Sequence, residues 1–410
     1  MANSATVVKS AVQPLGVSCF AITNFRTFRG RTAFELQEDV TVFHGDTGSG
    51  KSTALAALDV FFRALAYLLT TPIGQPQVIP WGAPVGGLFG RTEPLLSERD
   101  RPIAAAPTVL AATFADDPMP WVEIHFTPAG PNVLAELKGL RVSEPAARQH
   151  FLARLFPFGS TSRPFALLDA RRRPRWVSPR ASGSLLAPSL ALELYALCTS
   201  KLAGDRQRWR SFAAMLERFP TLCGATISIE AGDPPELVIE HAGRIVLGLD
   251  ELSSGEQELA ALTAGLLLAR AGIVAIEEPE MGLDIGTQEL WRDMCEEQRR
   301  AGFVHQFIFE SHAVTFDGAR VMRFRRDAEG STQVERAIAS AGSDVTREAK
   351  EKGASEVFVS REGFTRLPDA MRKEVAVGEN GARVWFLRGA ERWEAWPEAE
   401  LDNLFAEKGK

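Results

Sequence analysis

The sequence predicts an α/β fold, with a β-rich N-terminal part, a parallel β-sheet covered by helices, a short helical lobe and a small α+β C-terminal unit. Two patterns carry this prediction. A strand pattern at 40–44 leads through a Gly-rich turn into an apolar helix at about 52–69. Helix and strand patterns then alternate over 255–309, as in the βαβ units of parallel sheets. A chain of 410 residues that is 45% hydrophobic and 24% charged can bury the core of such a fold.

The other elements follow in chain order. Residues 17–44 contain two or three strand patterns rich in β-branched and aromatic residues. Nine of the 24 prolines fall within 72–120, which favours loops and short strands. Residues 133–160 and 186–218 are predicted to be helical, and strand patterns return at 225–250. The predicted domains are a head at 1–70 and 221–340, an inserted loop-rich and helical lobe at 71–220, and a C-terminal unit at 341–410.

Composition limits the classes of function. The net charge of −6 means that any nucleic-acid contact must come from a local basic patch. The N-terminus lacks a secretory signal pattern, and the apolar run Leu55–Leu69 is interrupted by Asp59 and Arg63. Scattered cysteines without a CxxC pair predict a reducing compartment and neither a zinc site nor a disulfide framework. They are Cys19, Cys198, Cys223 and Cys295. We therefore expect a cytoplasmic protein without a membrane span.

The segment GDTGSGKS at 45–52 fits the P-loop pattern GxxxxGK[ST]. Its glycines allow backbone N–H groups to turn towards phosphates, and the following helix adds its positive N-terminus. Lys51 can reach the β- and γ-phosphates, and the Ser52 hydroxyl can bind Mg²⁺. The alternative is a Gly-rich turn without a ligand. The predicted nucleotide-binding residues here are Gly45, Asp46, Thr47, Gly48, Ser49, Gly50, Lys51, Ser52 and Thr53.

Three later stretches add chemistry. In LSSGEQE at 252–258, Ser253 and Glu256 are spaced as a capping box, and the helix start offers a second anion site; taken alone, it is equally a plain helix cap. The apolar strand of IVAIEEPE at 273–280 ends in carboxylates that can hold Mg²⁺ and orient water, or can simply be solvated. The strand FIFESH ends at His312, which alone reads as structural.

In order, the P-loop, LSSGE, IEEPE, a Gly-Leu-Asp turn at 282–284 and Ser-His resemble an ABC-type ATPase head. NFRTF at 24–28, the LSSGEQE form and EEPE resemble the RecF/SMC/OLD-like branch more than a transporter subunit. The resemblance covers about 17–45 and 225–325. It implies ATP and Mg²⁺ as cofactors, ATP hydrolysis, and a homodimer with two ATP molecules at its interface.

The resemblance also implies individual roles. Lys51 and Ser52 would bind phosphate and Mg²⁺, and Glu277 would stand in the Walker B magnesium position, where many relatives have Asp. Glu278 would be the general base. The remaining implied roles are His312 as the γ-phosphate switch, Asp284 as the D-loop residue, Arg26 as a nucleotide contact, and Ser253 with Gly255 as contacts to ATP in the second subunit. Thr47 replaces a frequent Asn, and the Q-loop glutamine stays undecided between Gln75 and Gln77.

Two motifs that occur in members of the RecF/SMC/OLD-like branch are missing from this sequence. The segment between Ser52 and Leu252 has no sustained heptads, so no long coiled-coil arm is expected. No DxD follows His312, which disfavours a Toprim-type nuclease. Residues 341–410 carry 12 basic and 14 acidic residues and weakly resemble AbrB/MraZ-like units, with strands at 383–387 and 392–396. We expect this unit to dock a protein or to dimerise.

An arginine cluster surrounds Trp176 and could follow a nucleic-acid backbone, with a structural loop as the alternative. It comprises Arg163, Arg171, Arg172, Arg173, Arg175 and Arg180, and the four expected DNA contacts are Arg171, Arg172, Arg173 and Arg175. The leading hypothesis is therefore an ATP-dependent dimer in DNA repair or anti-phage defence that controls a separately encoded effector. The alternative is an ATPase that regulates or sequesters a protein partner without contacting nucleic acid.

Overall fold

The computed structural model divides the chain into two compact units. The first is Met1–Phe316 with Arg320–Ile338, and the second is Asp317–Ala319 with Ala339–Lys410. The described residues are 13–71, 75–80, 106–114, 120–139, 143–157, 163–168, 188–233, 235–241, 245–248, 251–313, 316, 321–336, 384–388 and 393–397.

Strands and helices alternate along the first unit, and a hairpin lies in the second. The strands are β1 (Val17–Thr23), β2 (Thr32–Glu35), β3 (Val40–Gly45), β4 (Gln77–Pro80), β5 (Thr108–Phe114), β6 (Trp121–Ala129), β7 (Asn132–Gly139), β8 (Arg163–Leu168), β9 (Ala225–Glu230), β10 (Glu236–His241), β11 (Ile245–Gly248), β12 (Ala271–Glu277), β13 (Gln306–Glu310), β14 (Val321–Arg326), β15 (Thr332–Arg336), β16 (Val384–Arg388) and β17 (Trp393–Pro397). The helices are α1 (Lys51–Thr70), α2 (Pro145–Leu155), α3 (Pro188–Thr199), α4 (Ala203–Leu216), α5 (Ser254–Ala269) and α6 (Ile285–Arg300).

A six-stranded sheet in the order β15-β14-β3-β13-β12-β8 carries the site. Five of its strands run parallel to one another, and β15 is antiparallel to β14. The strand β12 is buried on both faces, as its continuous apolar run predicts. Ile273 and Ala275 pack on the side of α1, whereas Val274 and Ile276 pack on the side of α5. The predicted α/β class is confirmed.

A second six-stranded sheet, β2-β1-β5-β6-β7-β4, is antiparallel. The helix α1 contacts strands of both large sheets and is therefore buried almost all round. By length and composition α1 could also cross a membrane, but 72% of its most apolar window is buried inside the protein, as in a core helix. A three-stranded sheet, β11-β10-β9, lies in the same unit.

Several local predictions need correction. The predicted helix at 133–160 is wrong for its first part, because 132–139 form β7, which pairs along its whole length with β6. The predicted helix at 186–218 is two helices, α3 and α4, separated at 200–202. The predicted lobe at 71–220 contributes β4 to β8 to the two large sheets, and its boundaries stay a prediction.

In the second unit the described residues are the antiparallel hairpin of β16 and β17. These strands match the two predicted at 383–387 and 392–396 to within one residue. The residues of this unit that precede β16 lie outside the described residues. The AbrB/MraZ-like resemblance therefore stays a prediction.

Candidate nucleotide-binding site

The loop between β3 and α1 has the backbone of a phosphate cradle. Gly45, Gly48 and Gly50 all have positive φ angles, which glycine adopts without steric cost. A Cβ at Gly45 would collide with the Phe324 carbonyl oxygen, and one at Gly50 with the Thr332 hydroxyl. The helix α1 begins at Lys51 without a side-chain cap, so backbone N–H groups of its first turn remain available to an anion.

The β14–β15 hairpin holds this loop in place. The Thr332 hydroxyl donates to the Ser49 carbonyl at 3.0 Å, and Arg326 Nε donates to the Gly48 carbonyl at 2.8 Å. The hydroxyls of Thr27 and Thr332 lie 2.8 Å apart. Sequence reasoning missed these loop contacts, because the residues that make them lie nearly 300 positions apart.

Arg26 lies next to this contact, in the turn that joins Phe25 to Phe28. Its φ angle is 48°, and its guanidinium carbon lies 5.2 Å from the centroid of the Phe25 ring. The neighbouring Thr27 hydroxyl reaches Thr332 and lies beside Gly50. The structure thus places the NFRTF turn against the P-loop.

The side chain of Lys51 is buried in the cradle, and the exposed Ser52 follows it at the start of α1. Lys51 Nζ donates to the carbonyls of Gly45 at 2.8 Å and Asp46 at 3.1 Å. Burial lowers the pKa of Lys51, and the nearby carboxylates of Glu310, Glu278, Asp46 and Glu280 oppose that shift. The Ser52 hydroxyl donates to Glu310 Oε1 at 2.8 Å, and the same oxygen lies 3.9 Å from Lys51 Nζ.

The carboxyl ends of β12 and β13 meet at this edge of the sheet. Glu277 pairs in register with Glu310, and Glu310 in turn with Phe43 of β3. Side chains alternate along a strand, so Glu277 lies on the α1 side with Ile273 and Ala275. Burial raises the pKa of Glu310 to about 7, with Glu277 and Glu278 adding to the rise and Ser52 and Lys51 opposing it.

Glu278 follows β12 in a left-handed conformation with φ of 44°. Its backbone N–H donates to the Glu310 carbonyl at 2.8 Å, which continues the contact between the two strand ends. A non-glycine residue in this conformation is uncommon, and such residues cluster at functional sites. The position of Glu278 therefore marks it as a candidate for chemistry.

Glu280 connects this acidic segment to the Ser-His pair. One of its oxygens accepts from the His312 backbone N–H at 2.6 Å and the other from the Ser311 hydroxyl at 3.0 Å. The Ser311 N–H donates to the Phe43 carbonyl at 3.1 Å. The rings of His312 and His44 stand 6.3 Å apart. His312 thus lies at the same sheet edge as the P-loop.

Ser253, Gly255 and Asp284 form a second cluster. The predicted capping box is present, with the Ser253 N–H donating to Glu256 and the Glu256 N–H donating to the Ser253 hydroxyl. A Cβ at Gly255 would lie 2.7 Å from the Gly282 carbonyl oxygen, so the helix start packs tightly on the Gly-Leu-Asp turn. Asp284 caps α6, and its hydrogen bond with the Thr287 hydroxyl lowers its pKa.

The donor set beside Ser52 suits a hard divalent cation. It consists of the Ser52 hydroxyl and the carboxylates of Glu310 and Glu277, all oxygen ligands of the kind that Mg²⁺ prefers. Glu310 Oε2 is buried and has no hydrogen-bond partner, so an acceptor site is open there. Within the described ranges, no three His, Cys, Asp or Glu side chains are grouped to hold a metal on their own. P-loop sites combine a few protein ligands with phosphate and water oxygens.

Some predicted site residues lie elsewhere. Gln77 is in β4, and its side-chain amide donates to the Gln75 carbonyl at 3.1 Å. Of the arginine cluster, Arg163 starts β8 and lies 3.9 Å from Glu193. Arg171, Arg172, Arg173, Arg175 and Arg180 lie outside the described residues. Sequence reasoning missed Glu310 and the contacts of Glu280, although a carboxylate at the end of an apolar strand before Ser-His is a readable signal.

Comparison with known proteins agrees with a P-loop domain. A family model for an AAA domain matches residues 20–64, the segment from β1 into α1 that contains the P-loop. No curated protein matches the chain.

Several solved structures are similar in fold. The SMC head domain from Thermotoga maritima shares 15% identity over 80% of this chain and 100% of its own, with a TM-score of 0.45. An SMC head bound to the C-winged helix domain of ScpA shares 15% identity over 81% of this chain and 99% of its own, with a TM-score of 0.47. An SMC head with an extended coiled coil is bound to the C-terminal domain of ScpA derived from Pyrococcus furiosus. It shares 14% identity over 83% of this chain and 100% of its own, with a TM-score of 0.48.

Proposed function

We propose that this protein binds ATP with Mg²⁺ and hydrolyses it. One observation carries the proposal: the cradle holding Lys51 and Ser52 opens onto the sheet edge where Glu277, Glu278 and Glu310 meet. Phosphate needs cationic and N–H donors, a divalent cation needs oxygen ligands, and hydrolysis needs a base for the attacking water. The residues at this edge supply all three.

In this proposal each residue has a defined task. Lys51 offsets the charge of the β- and γ-phosphates, and Ser52 with Glu277 holds the cation, which neutralises charge that develops on the phosphate oxygens. Glu278 accepts a proton from the water that attacks the γ-phosphorus, as the bond to the β-phosphate oxygen breaks. ADP and phosphate are the products. His312, held through its backbone by Glu280, contacts the γ-phosphate.

We further propose that ATP joins two copies of the chain. Ser253 and Asp284 are exposed, and the N–H groups of the first turn of α5 that the capping box does not use offer a second anion site. In a head-to-tail-facing dimer Ser253 and Gly255 of one copy would contact ATP bound to the other. Arg26, on the turn against the P-loop, would contact the nucleotide in its own copy.

The proposed cellular output is DNA repair or anti-phage defence in the cytoplasm, through DNA contact by the arginine cluster and control of a separately encoded effector. The NFRTF, LSSGEQE and EEPE segments and the clustered arginines support this output. A second candidate is regulation of a protein partner, which the net acidic balance of 341–410 favours. Measuring ATP turnover with and without double-stranded DNA at several salt concentrations separates the two, because phosphate contacts are steeply salt-dependent.

Nucleotide binding itself is tested by Lys51→Ala, which removes the charge that offsets the phosphates. We expect this variant to lose detectable ATP binding in calorimetry. Lys138→Ala is the matched control, because Lys138 lies on β7 in an exposed pair with Glu136 and should leave ATP affinity unchanged. Wild-type ATP affinity in the Lys51→Ala variant would remove this residue from the site and count against the proposed function.

A further inference from the structure

Glu310 is a buried carboxylate whose environment is incomplete. It ends β13 between β3 and β12, and its side chain is only 4% exposed. Its Oε1 accepts the Ser52 hydroxyl at 2.8 Å. Its Oε2 is buried without a hydrogen-bond partner. A buried polar atom without a partner is costly, and so such atoms are rare unless a ligand, an ion or a water completes them.

The surroundings of Glu310 favour a cation over a neutral ligand. Glu277 is its in-register neighbour on β12, so two carboxylates share one edge of the sheet. Lys51 is the facing cation, at 3.9 Å from Glu310 Oε1, but its Nζ already donates to two carbonyls of the cradle. Two neighbouring carboxylates and a hydroxyl therefore lie at one sheet edge, and the Oε2 atom of Glu310 has no partner within the chain.

The hydrogen bond from Ser52 to Glu310 fixes the orientation of the Ser52 hydroxyl. Because the proton of this hydroxyl points at Glu310, its oxygen lone pairs face away from that carboxylate and are free to bind a cation. An alanine at position 310 would leave the hydroxyl free to rotate. Glu310 thus orients the hydroxyl as a ligand and presents a second oxygen beside it.

We propose that Glu310 is a cation-binding residue of this site: it fixes the Ser52 hydroxyl through Oε1 and binds the divalent cation, or a water of its coordination shell, through Oε2. The inference rests on the proposed function and adds to it a residue that follows from neither the P-loop nor the EEPE segment. Glu277 and Glu310 then share the role that the sequence assigned to Glu277 alone.

The test measures cation affinity and not turnover. Mn²⁺ serves as the probe, and its binding to protein loaded with a non-hydrolysable ATP analogue is followed by electron paramagnetic resonance. Glu310→Gln keeps the shape of the side chain and an acceptor for Ser52 but removes the charge. We expect this variant to bind the analogue in EDTA within about threefold of wild type and to lose about tenfold or more in Mn²⁺ affinity. Glu297→Gln, on the exposed face of α6, should leave both unchanged.

Two comparisons keep the proposal falsifiable. Unchanged Mn²⁺ affinity in folded Glu310→Gln would overturn it while leaving the proposed function intact, whereas failure of wild type to bind the analogue would overturn both. If Glu310→Gln does not fold, Glu310→Asp replaces it, because it keeps the charge but withdraws it by one methylene. A several-fold loss of Mn²⁺ affinity in Glu310→Asp supports the proposal, and wild-type affinity overturns it.

Discussion

The carboxylate of Glu280 accepts a 2.6 Å hydrogen bond from the backbone N–H of His312. Its second oxygen accepts the Ser311 hydroxyl at 3.0 Å, so one side chain holds both residues of the Ser-His pair. Glu280 itself lies three residues beyond the end of β12, and its contacts therefore tie the loop after β12 to the loop after β13. The position of His312 is therefore fixed relative to the acidic segment by Glu280.

This contact predicts that Glu280→Ala slows ATP hydrolysis without abolishing ATP binding. Loss of the side chain frees the His312 backbone, and small displacements of catalytic groups cost up to about 100-fold in rate. We expect turnover to fall by about 10- to 100-fold while the dissociation constant for ATP changes little, because the P-loop contacts remain. Single-turnover hydrolysis and equilibrium binding measure the two quantities separately.

Glu280→Gln is the matched control for that prediction. The amide oxygen can still accept from the His312 N–H, and the amide nitrogen can donate to the Ser311 hydroxyl. We therefore expect Glu280→Gln to retain most of the wild-type rate. Equal loss in the glutamine and alanine variants would mean that the charge of Glu280, and not its hold on His312, is what matters.

Local sequence signals were sufficient for the elements that the cradle needs. The P-loop glycines, the apolar run of β12 and the Ser253–Glu256 spacing each express a local rule, and the structure has the corresponding loop, strand and capping box. These rules act over a few residues, so one sequence is enough to apply them. The roles assigned to the site residues remain predictions.

The signals that failed were long-range. Residues 133–139 contain the helix formers Leu, Ala, Glu and Lys, but pairing with β6 overrides that propensity. The approach of Glu310 to Ser52 depends on the register between β12, β13 and β3, which no local pattern reveals. The contact of Thr332 with Ser49 likewise spans 283 positions.

Glu278→Gln should abolish turnover while leaving ATP bound. Removing a general base costs about 10²- to 10⁴-fold in rate, whereas the phosphate contacts do not involve this side chain. ATP that cannot be hydrolysed should then hold two copies together. Light scattering should show the mass doubling when ATP is added, and the ATP-free variant serves as the control. An ATP-loaded variant that stays monomeric would contradict the proposed dimer.

The raised pKa of Glu310 predicts how stability depends on pH. The unfolded chain releases this proton near pH 4.5, whereas the folded protein keeps it to about pH 7. The folded state therefore binds more protons between these values, and the free energy of unfolding should fall as pH rises through them. The loss attributable to Glu310 is at most about 3 kcal/mol, from 1.36 kcal/mol per pKa unit.

Urea unfolding at pH 5 and pH 8, without nucleotide or divalent cation, measures this effect. Lys51, Glu277 and Glu278 face Glu310, and His305 also has a shifted pKa, so the useful quantity is the difference between wild type and Glu310→Gln. Between pH 5 and pH 8, we expect the free energy of unfolding to fall less in Glu310→Gln than in wild type. An identical pH dependence in both proteins would show that Glu310 ionises at its ordinary pKa.

The arginine cluster decides between the two proposed outputs. Neutralising its central members should weaken DNA binding about equally across sequences if their guanidinium groups follow the phosphate backbone. It should also flatten the slope of log affinity against log salt by about 0.9 for each duplex phosphate contact that is lost. ATP turnover without DNA should hardly change. The variant replaces Arg171, Arg172, Arg173 and Arg175 with glutamine.

A second variant removes the same number of charges from exposed positions on and around α4 and α6, and so controls for net charge. It replaces Arg206, Arg210, Arg218 and Arg300 with glutamine. If the slope of log affinity against log salt flattens only in the cluster variant, the cluster binds DNA locally. If the slope flattens equally in both variants, the effect is one of overall charge. Wild-type protein that fails to bind DNA at low salt, with ATP present and the dimer formed, would exclude the DNA output. Regulation of a protein partner would then be the better account, because the ATP-dependent dimer would still need a target.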